Sequence, residues 1–220
     1  MALTWYIDQK DIATEYGCSV EGSSGLLDMP KAKSPLSADI DDWHGEMMDM
    51  EDIRYQPRDI ILSCFLIGTS MGDFNTKINN FKVSLAADGP HQLTITGLAI
   101  PVSYIIMCTD GFTVSKQWRA NGMTIGTFQL KLREMCPVKC VLKYVGAGTM
   151  GLDVIPFLDI SGRIYWGDGY YSTPADVDGL SAYTHTYSAV GTYYIVITGA
   201  LNPNITPDYG SATLLWEQLL

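Results

Sequence analysis

In one run after another from residue 92 onward, the apolar residues of this chain return at every second position, and that periodicity commits much of it to strands. Leu93 and Ile95 alternate with Gln92, Thr94 and Thr96, and Val102, Tyr104, Ile106 and Cys108 repeat the pattern. Phe128, Leu130 and Leu132 alternate in turn with Gln129, Lys131 and Arg133. Asp110-Gly111 separates the second of these runs from Phe112 to Trp118, a hairpin signal, because glycine tolerates the positive φ of a tight turn. Asp59 to Ile67 is almost continuously apolar over the length of one strand, so it is expected to be covered on both faces. The composition agrees: Tyr, Trp, Gly and scattered Pro are plentiful, and only 17% of residues are charged. The expected fold is mostly β, with helix in the minority.

The exception is a window where the period lengthens. Phe74, Ile78, Phe81 and Leu85 fall at spacings of four, three and four, which places them on one stripe of an α-helix. Asp73 is positioned to cap its start and Gly89 to end it. An isolated amphipathic helix of this length is marginal in water, so the stripe must lie against a sheet. Before it, the chain reads as strand and loop. Residues 39 to 52 hold seven acids around Trp43 and three Met with no base; they lack the ligand spacing of a Ca²⁺ loop and are expected to be a solvated loop. Cys136-Pro137 interrupts the pattern and a fresh series begins at Val138, with strands expected at 138–145, 152–158, 162–166, 183–187 and 192–198. The organisation expected is therefore a first domain over 1–137, a second over 138–202 and a C-terminal tail over 203–220, whose Leu214, Leu215, Trp216, Leu219 and Leu220 should dock on something.

Several function classes recede on charge and composition. The formal net charge of −10 repels phosphate, which argues against nucleic-acid binding. No apolar run approaches the roughly 20 residues needed to cross a bilayer, and Met1 to Asp8 has neither a basic segment nor a long apolar core, so neither a membrane span nor export is expected. The odd set of Cys18, Cys64, Cys108, Cys136 and Cys140 reads as reduced thiols, and Cys136 with Cys140 lacks the second pair or nearby His of a zinc site. No metal or cofactor is expected.

The most specific stretch is Arg163-Ile-Tyr-Trp-Gly-Asp-Gly169, followed by Tyr183-Thr-His-Thr-Tyr187 and Gly191-Thr-Tyr-Tyr-Ile-Val-Ile197. Trp166 is suited to fill a small core, Gly167 and Gly169 permit a tight turn, and the Asp168 carboxylate can accept hydrogen bonds from the amides of that turn. His185 and Tyr187 share a strand face and can close over the core, and Gly191 and Tyr193 open the last strand. An Asp and a His in one motif invite a catalytic reading, but no Ser or Cys has an activating context, and no catalytic residue is expected.

The order W-G-D-G, H-x-Y, G-x-Y resembles the polycystic-kidney-disease (PKD) type of immunoglobulin-like domain over about residues 138 to 201. That resemblance implies a β-sandwich serving as a spacer or interaction module. The first part is similar to the split barrel of the distal tail protein of long-tailed bacteriophages, on the order Tyr16-Gly17, Leu26 to Pro30, Trp43-His-Gly45, Asp59 to Phe65, the helix with Asp88-Gly89, Leu93-Thr-Ile95, a hairpin and Gly126 to Leu132. This resemblance implies a split β-barrel with one α-helix, and a homohexameric ring in a virion tail, assembled in the bacterial cytoplasm with tail-tube, tape-measure and tail-hub proteins. The galectin-like domain that often ends that family is replaced by the PKD-like one. The alternatives are a tail-tube subunit with an immunoglobulin-like decoration, a surface adhesin or carbohydrate-binding module, and a hydrolase with an accessory domain.

Overall fold

The computed structural model describes residues 3–34, 37–39, 41, 44, 46–48, 53–118, 120–153, 162–173, 183–199 and 206–217. In chain order they form β1 (Thr4–Ile7), β2 (Lys10–Asp11), α1 (Ile12–Tyr16), β3 (Cys18–Ser24), β4 (Ser37–Asp39), β5 (Glu46–Met48), β6 (Arg58–Gly68) and α2 (Met71–Leu85). There follow β7 (His91–Thr96), β8 (Val102–Met107), β9 (Ser115–Trp118), β10 (Thr124–Glu134), β11 (Lys139–Leu152), β12 (Arg163–Tyr165), β13 (Tyr171–Ser172), β14 (Tyr183–Thr198) and β15 (Thr213–Trp216). The strands make an eight-stranded sheet, a five-stranded sheet and a two-stranded pair, so the chain is mostly β.

The first sheet runs β2-β1-β7-β8-β10-β6-β3, with β9 beside β10. Laid flat, seven strands would put its ends about 29 Å apart at the usual strand spacing. Yet β2 ends at Asp11 and β3 begins at Cys18, and α1 between them has five residues, about 7.5 Å of helix. The sheet therefore curls until its ends nearly meet. A cleft of about 450 Å³, lined by Leu3 to Trp5 on one side and Cys18 to Ser23 on the other, marks the seam. Both turns that make this possible are local. Asp8 and Gln9 sit at φ 50° and 65°, the paired positive values of a tight hairpin between β1 and β2. Asp11 then caps α1 by accepting from the Ala13 and Thr14 amides, and Gly17 ends it at φ 64°. This second helix is absent from the sequence reading because five residues span too little of the helical period to register.

Helix α2 covers the inner face of the curled sheet with Phe74, Ile78, Phe81 and Leu85, all buried. Phe81 lies 5.3 Å from Tyr16 and 6.0 Å from Phe128, ring centre to ring centre. The close approach depends on Gly68 and Gly126, where a Cβ would come within 2.6 Å and 2.5 Å of Phe74 atoms. The ends of the helix differ from expectation. Ser70, in extended conformation, is the cap, accepting from the Asp73 amide; Asp73 reaches back and accepts from the Thr69 amide at 2.8 Å. Asp73 thus takes up the amide just before the cap residue, one position short of the reciprocal pair of a capping box. Ala86 occupies the other end, and Gly89 lies beyond it in the connection to β7.

Strand β6 also corrects the reading. Arg58, Ile60, Leu62, Cys64 and Leu66 are buried, but Ile61, Ser63, Phe65 and Ile67 are only half-buried. The continuous apolar run is thus covered on one face, and its outward stripe is left partly open.

The second sheet runs β13-β12-β14-β11-β15. The segments expected as separate strands at 183–187 and 192–198 are the two halves of β14, which pairs with β11 from Lys139↔Thr198 to Leu152↔Tyr183 across a bulge at Gly146 and Gly148. Most of the strand expected at 152–158 lies outside the described residues. The C-terminal segment docks on its own chain: β15 adds to the edge of β11, with Leu142 opposite Leu214, while Leu219 and Leu220 lie outside the described residues. The two sheets touch through buried Ile105, Val141 and Val196, with Tyr165, Leu215 and Trp216 packed around them. The Trp216 indole N–H donates to the Pro101 carbonyl at 2.8 Å, and the Gln92 side chain donates through Nε2 to the Tyr194 carbonyl at 2.6 Å.

Candidate functional site

Strand β12 delivers Trp166 into the core of the second sheet, where it is 1% exposed and its indole N–H donates to Ser172 Oγ at 2.9 Å. The chain then turns sharply. Gly167 is at φ 91°, and a Cβ there would fall 2.7 Å from the Tyr194 carbonyl oxygen, so no other residue fits. Gly169 is at φ 95°, and the Trp166 amide donates to the Tyr170 carbonyl to close the turn. Asp168 accepts from the Tyr170 amide with one oxygen and meets His185 Nε2 at 2.6 Å with the other.

His185 is fixed on all sides. Its ring stacks on Trp166 at 5.0 Å and meets Tyr187 edge-on at 4.7 Å. The Tyr187 hydroxyl donates to the Trp166 carbonyl, and its ring stacks on Tyr193 at 4.0 Å and on Tyr144 at 4.9 Å. Burial pushes the Tyr187 phenol well above its ordinary range. Trp166, Asp168, His185, Tyr187 and Tyr193 thus meet in one packed polar–aromatic cluster with Gly167 and Gly169 in its turn, and Gly191, paired with Gly146 beside the bulge, lies against the Tyr193 ring, which a Cβ there would meet at 3.0 Å. Each polar atom named here has a partner in the turn or the core, an arrangement suited to holding a turn rigid.

Two polar groupings escape sequence reading. His91 is buried at the start of β7, with Nδ1 2.6 Å from Asp8 Oδ2. The hydrogen bond to Asp8 is the main cause raising its pKa, and the Leu85 and Ala87 carbonyls at the end of α2 add to it against burial. Nothing local links residues 83 positions apart.

The second grouping is a buried ionic triad where the sheets join. Glu134 accepts from Arg58 Nε at 2.9 Å and from Lys139, and all three side chains are almost wholly enclosed. Both cations lie over the Tyr104 ring, at 5.2 Å for Arg58 and 4.1 Å for Lys139. Arg58 also donates to the Asp28 carbonyl, and Tyr104 to that of Leu26. Burial pulls the Lys139 ammonium down to about 8 in spite of Glu134. Here a signal existed: Glu134 continues the inward alternation of Phe128, Leu130 and Leu132, and a charge on that face requires a partner.

Two surfaces stand out. The first is the outward stripe of β6, flanked on β10 by half-buried Thr127 and exposed Gln129, Lys131 and Arg133. The second lies where a loop is expected at 39–52, of which Asp39 and Glu46–Met48 are instead in strands and 40, 42–43, 45 and 49–52 lie outside the described residues. Strands β4 and β5 pair as a hairpin, with Ser37 opposite Met48, and the same arm is tied at its root by the Ala32↔Tyr55 bridge and by bonds from the Lys33 amide to Arg54 and from the Gln56 amide to Lys31. Trp43 lies outside the described residues. Large apolar side chains are exposed along this excursion: Leu27, Met29, Met47, Met48 and Ile53. None of the five cysteines is in a disulfide, and burial raises the Cys140 thiol to about 11. Among the described residues no group of three metal-ligating side chains occurs, and no helix is long and apolar enough to cross a membrane.

No family model and no curated protein matches the sequence. Among solved structures, the chain is similar to the Dit protein of phage SPP1, described as a paradigm of the hub adsorption apparatus in phages that infect Gram-positive bacteria. That match has 11% identity and a TM-score of 0.48, and covers 90% of this chain and 99% of the other. It is also similar to a chain of the phage p2 baseplate in its activated conformation with Sr, at 12% identity and a TM-score of 0.45, over 98% of this chain and 88% of the other.

Proposed function

We propose that this chain is a structural subunit of a bacteriophage or prophage tail, a distal tail (baseplate hub) protein that assembles with copies of itself into a ring of six through the first sheet. The observation that carries assembly is the outward stripe of β6: Ile61, Phe65 and Ile67 belong to an apolar run long enough for a fully buried strand, yet their face is half-open. An apolar stripe left half-open between polar flanks is suited to covering by a second copy. A head-to-tail contact whose rotation closes would cover it in every copy. The tail assignment, the number six and the partners in the tail tube, tape measure and hub rest on the sequence resemblance. Asp168 and His185 are assigned to holding the Trp166 turn, and the protein acts by assembly instead of catalysis.

Native mass spectrometry and negative-stain microscopy of concentrated protein test this, together with labelled antibody on virions. Rings and tail-tip labelling are expected. A chain that stays monomeric at its highest soluble concentration, or antibody that binds no part of the tail, overturns the reading.

A further inference from the structure

We propose that the loop between β7 and β8 is the knob by which one copy holds the next, its Leu98 and Ile100 side chains seated in the cleft that the neighbouring copy opens between the end of α2 and residues 108–112. The inference rests on the ring reading above and names the contact.

Three observations carry it. First, residues 97–101 read Gly-Leu-Ala-Ile-Pro, with no polar side chain among them, and Leu98, Ala99 and Ile100 are exposed one after another. A run of exposed apolar residues at a hairpin tip is a fault in a soluble chain unless it serves a contact. Leu98 is 37% exposed and Ile100 43%, and Leu3, brought beside the loop by the pairing of Thr4 with Thr96, is 46% exposed.

Second, the chain offers a matching recess. Leu85, Ala86, Cys108 and Phe112 line a cleft of about 290 Å³. That is just under the roughly 300–1,000 Å³ of small-molecule pockets, a size suited to one or two aliphatic side chains. The charges at its rim are engaged within the chain: Lys82 Nζ lies 5.8 Å from the centre of the Phe112 ring, and Asp110 faces Lys131 at 3.7 Å. An uncharged loop can close over the floor and leave these contacts in place.

Third, loop and cleft lie at opposite ends of one hairpin. β7 and β8 pair from Ile95↔Val102, beside the loop, to His91↔Ile106, and the end of α2 and residues 108–112 adjoin that second end. Strands of six residues hold the two about 20 Å apart, so the loop cannot fill the cleft of its own chain. It can fill another copy's. Each copy then carries one knob and one recess, the two halves of a contact that repeats from copy to copy and closes into a ring when its rotation allows.

The test uses the full chain. A photo-crosslinking amino acid at position 98, in a mixture of isotopically heavy and light copies, should give mixed-mass crosslinks to residues 82–86 or 108–112. Two variants break the contact from either side without entering the core: Leu98→Ser with Ile100→Ser removes the knob, and Ala86→Trp, at an exposed position, fills the recess. Each should weaken association by about tenfold or more, the loss expected from one apolar side chain left unburied, with far-UV circular dichroism unchanged. Mixed together, the two variants should associate through the one intact loop and the one intact cleft and go no further than pairs. Crosslinks between copies at any other surface, crosslinks confined to one chain, including those to residues 218–220, or rings that form equally well in both variants, overturn the loop contact and leave the ring reading standing. Crosslinks into the cleft from closed pairs overturn the ring and leave the contact, and wild-type protein that stays monomeric overturns both.

Discussion

Lys139 and His91 titrate in opposite senses, and each predicts a pH dependence of stability. Burial lowers Lys139 from 10.5 to about 8, so between those values the unfolded chain holds a proton that the folded chain has lost. Stability from this group therefore rises with pH across that window and is penalised below it. Lys139→Met, which leaves Arg58 and Glu134 paired, is expected to match or exceed wild-type stability at pH 7 by about 1 to 4 kcal/mol, the margin shrinking above pH 8. Glu134→Gln, which strands two buried cations, should cost about 3 to 5 kcal/mol. Urea melts of the three proteins from pH 6 to 10 decide it, and a margin that grows above pH 8 would refute the assignment. His91 is raised, so its contribution is complete below its ordinary value of 6.5 and fades as pH climbs through the higher folded one. Asp8→Asn should lower the His91 titration midpoint seen by NMR and flatten the stability profile there. An unchanged midpoint would exclude Asp8 as the main cause. Trp166→Ala should cost about 3 to 5 kcal/mol as a large-to-small core change.

Among the elements, α2 and β15 are the most open to test. Ser70 caps α2 and Asp73 accepts from the Thr69 amide just before it, so Ser70→Ala should cost about 1 kcal/mol and Asp73→Ala should destabilise as well. A null effect at Ser70 with a full loss at Asp73 in chemical melts would return the cap to Asp73. Strand β15 closes the edge of β11 and places Trp216 against both sheets. Trp216 is half-buried, so Trp216→Ala should cost about 2 kcal/mol, less than a full core truncation. The alternation of β7, β8 and β10 and the stripe of α2 were legible because each repeats over several residues. α1 and the β1–β2 turn were not, since they are too short to show a period.

Across the fold, the two sheets share a buried contact at Ile105, Val141 and Val196, reinforced by Trp216 and Gln92. A fragment 138–202 lacks β15 and exposes this contact. A fragment 138–217 should therefore melt higher than 138–202 and bind a fragment 1–137 in calorimetry. Equal melting of the two shorter pieces, or no binding, would make the contact energetically silent. The triad of Arg58, Glu134 and Lys139 is a second link, since it joins β6 and the end of β10 to the start of β11, with Arg58 and Tyr104 also donating to the Asp28 and Leu26 carbonyls.

Local patterning settles what local physics controls: period two for most strands, the longer period of α2, and the Trp166–Gly169 turn, whose residue types admit few other conformations. Long-range packing decides the rest. It alone opens the outward face of β6, bends the first sheet until α1 spans its seam, joins His91 to Asp8 and brings β15 to the edge of β11. Each of these depends on residues far apart in the chain, and a contact between distant positions leaves no period in either of them to be read.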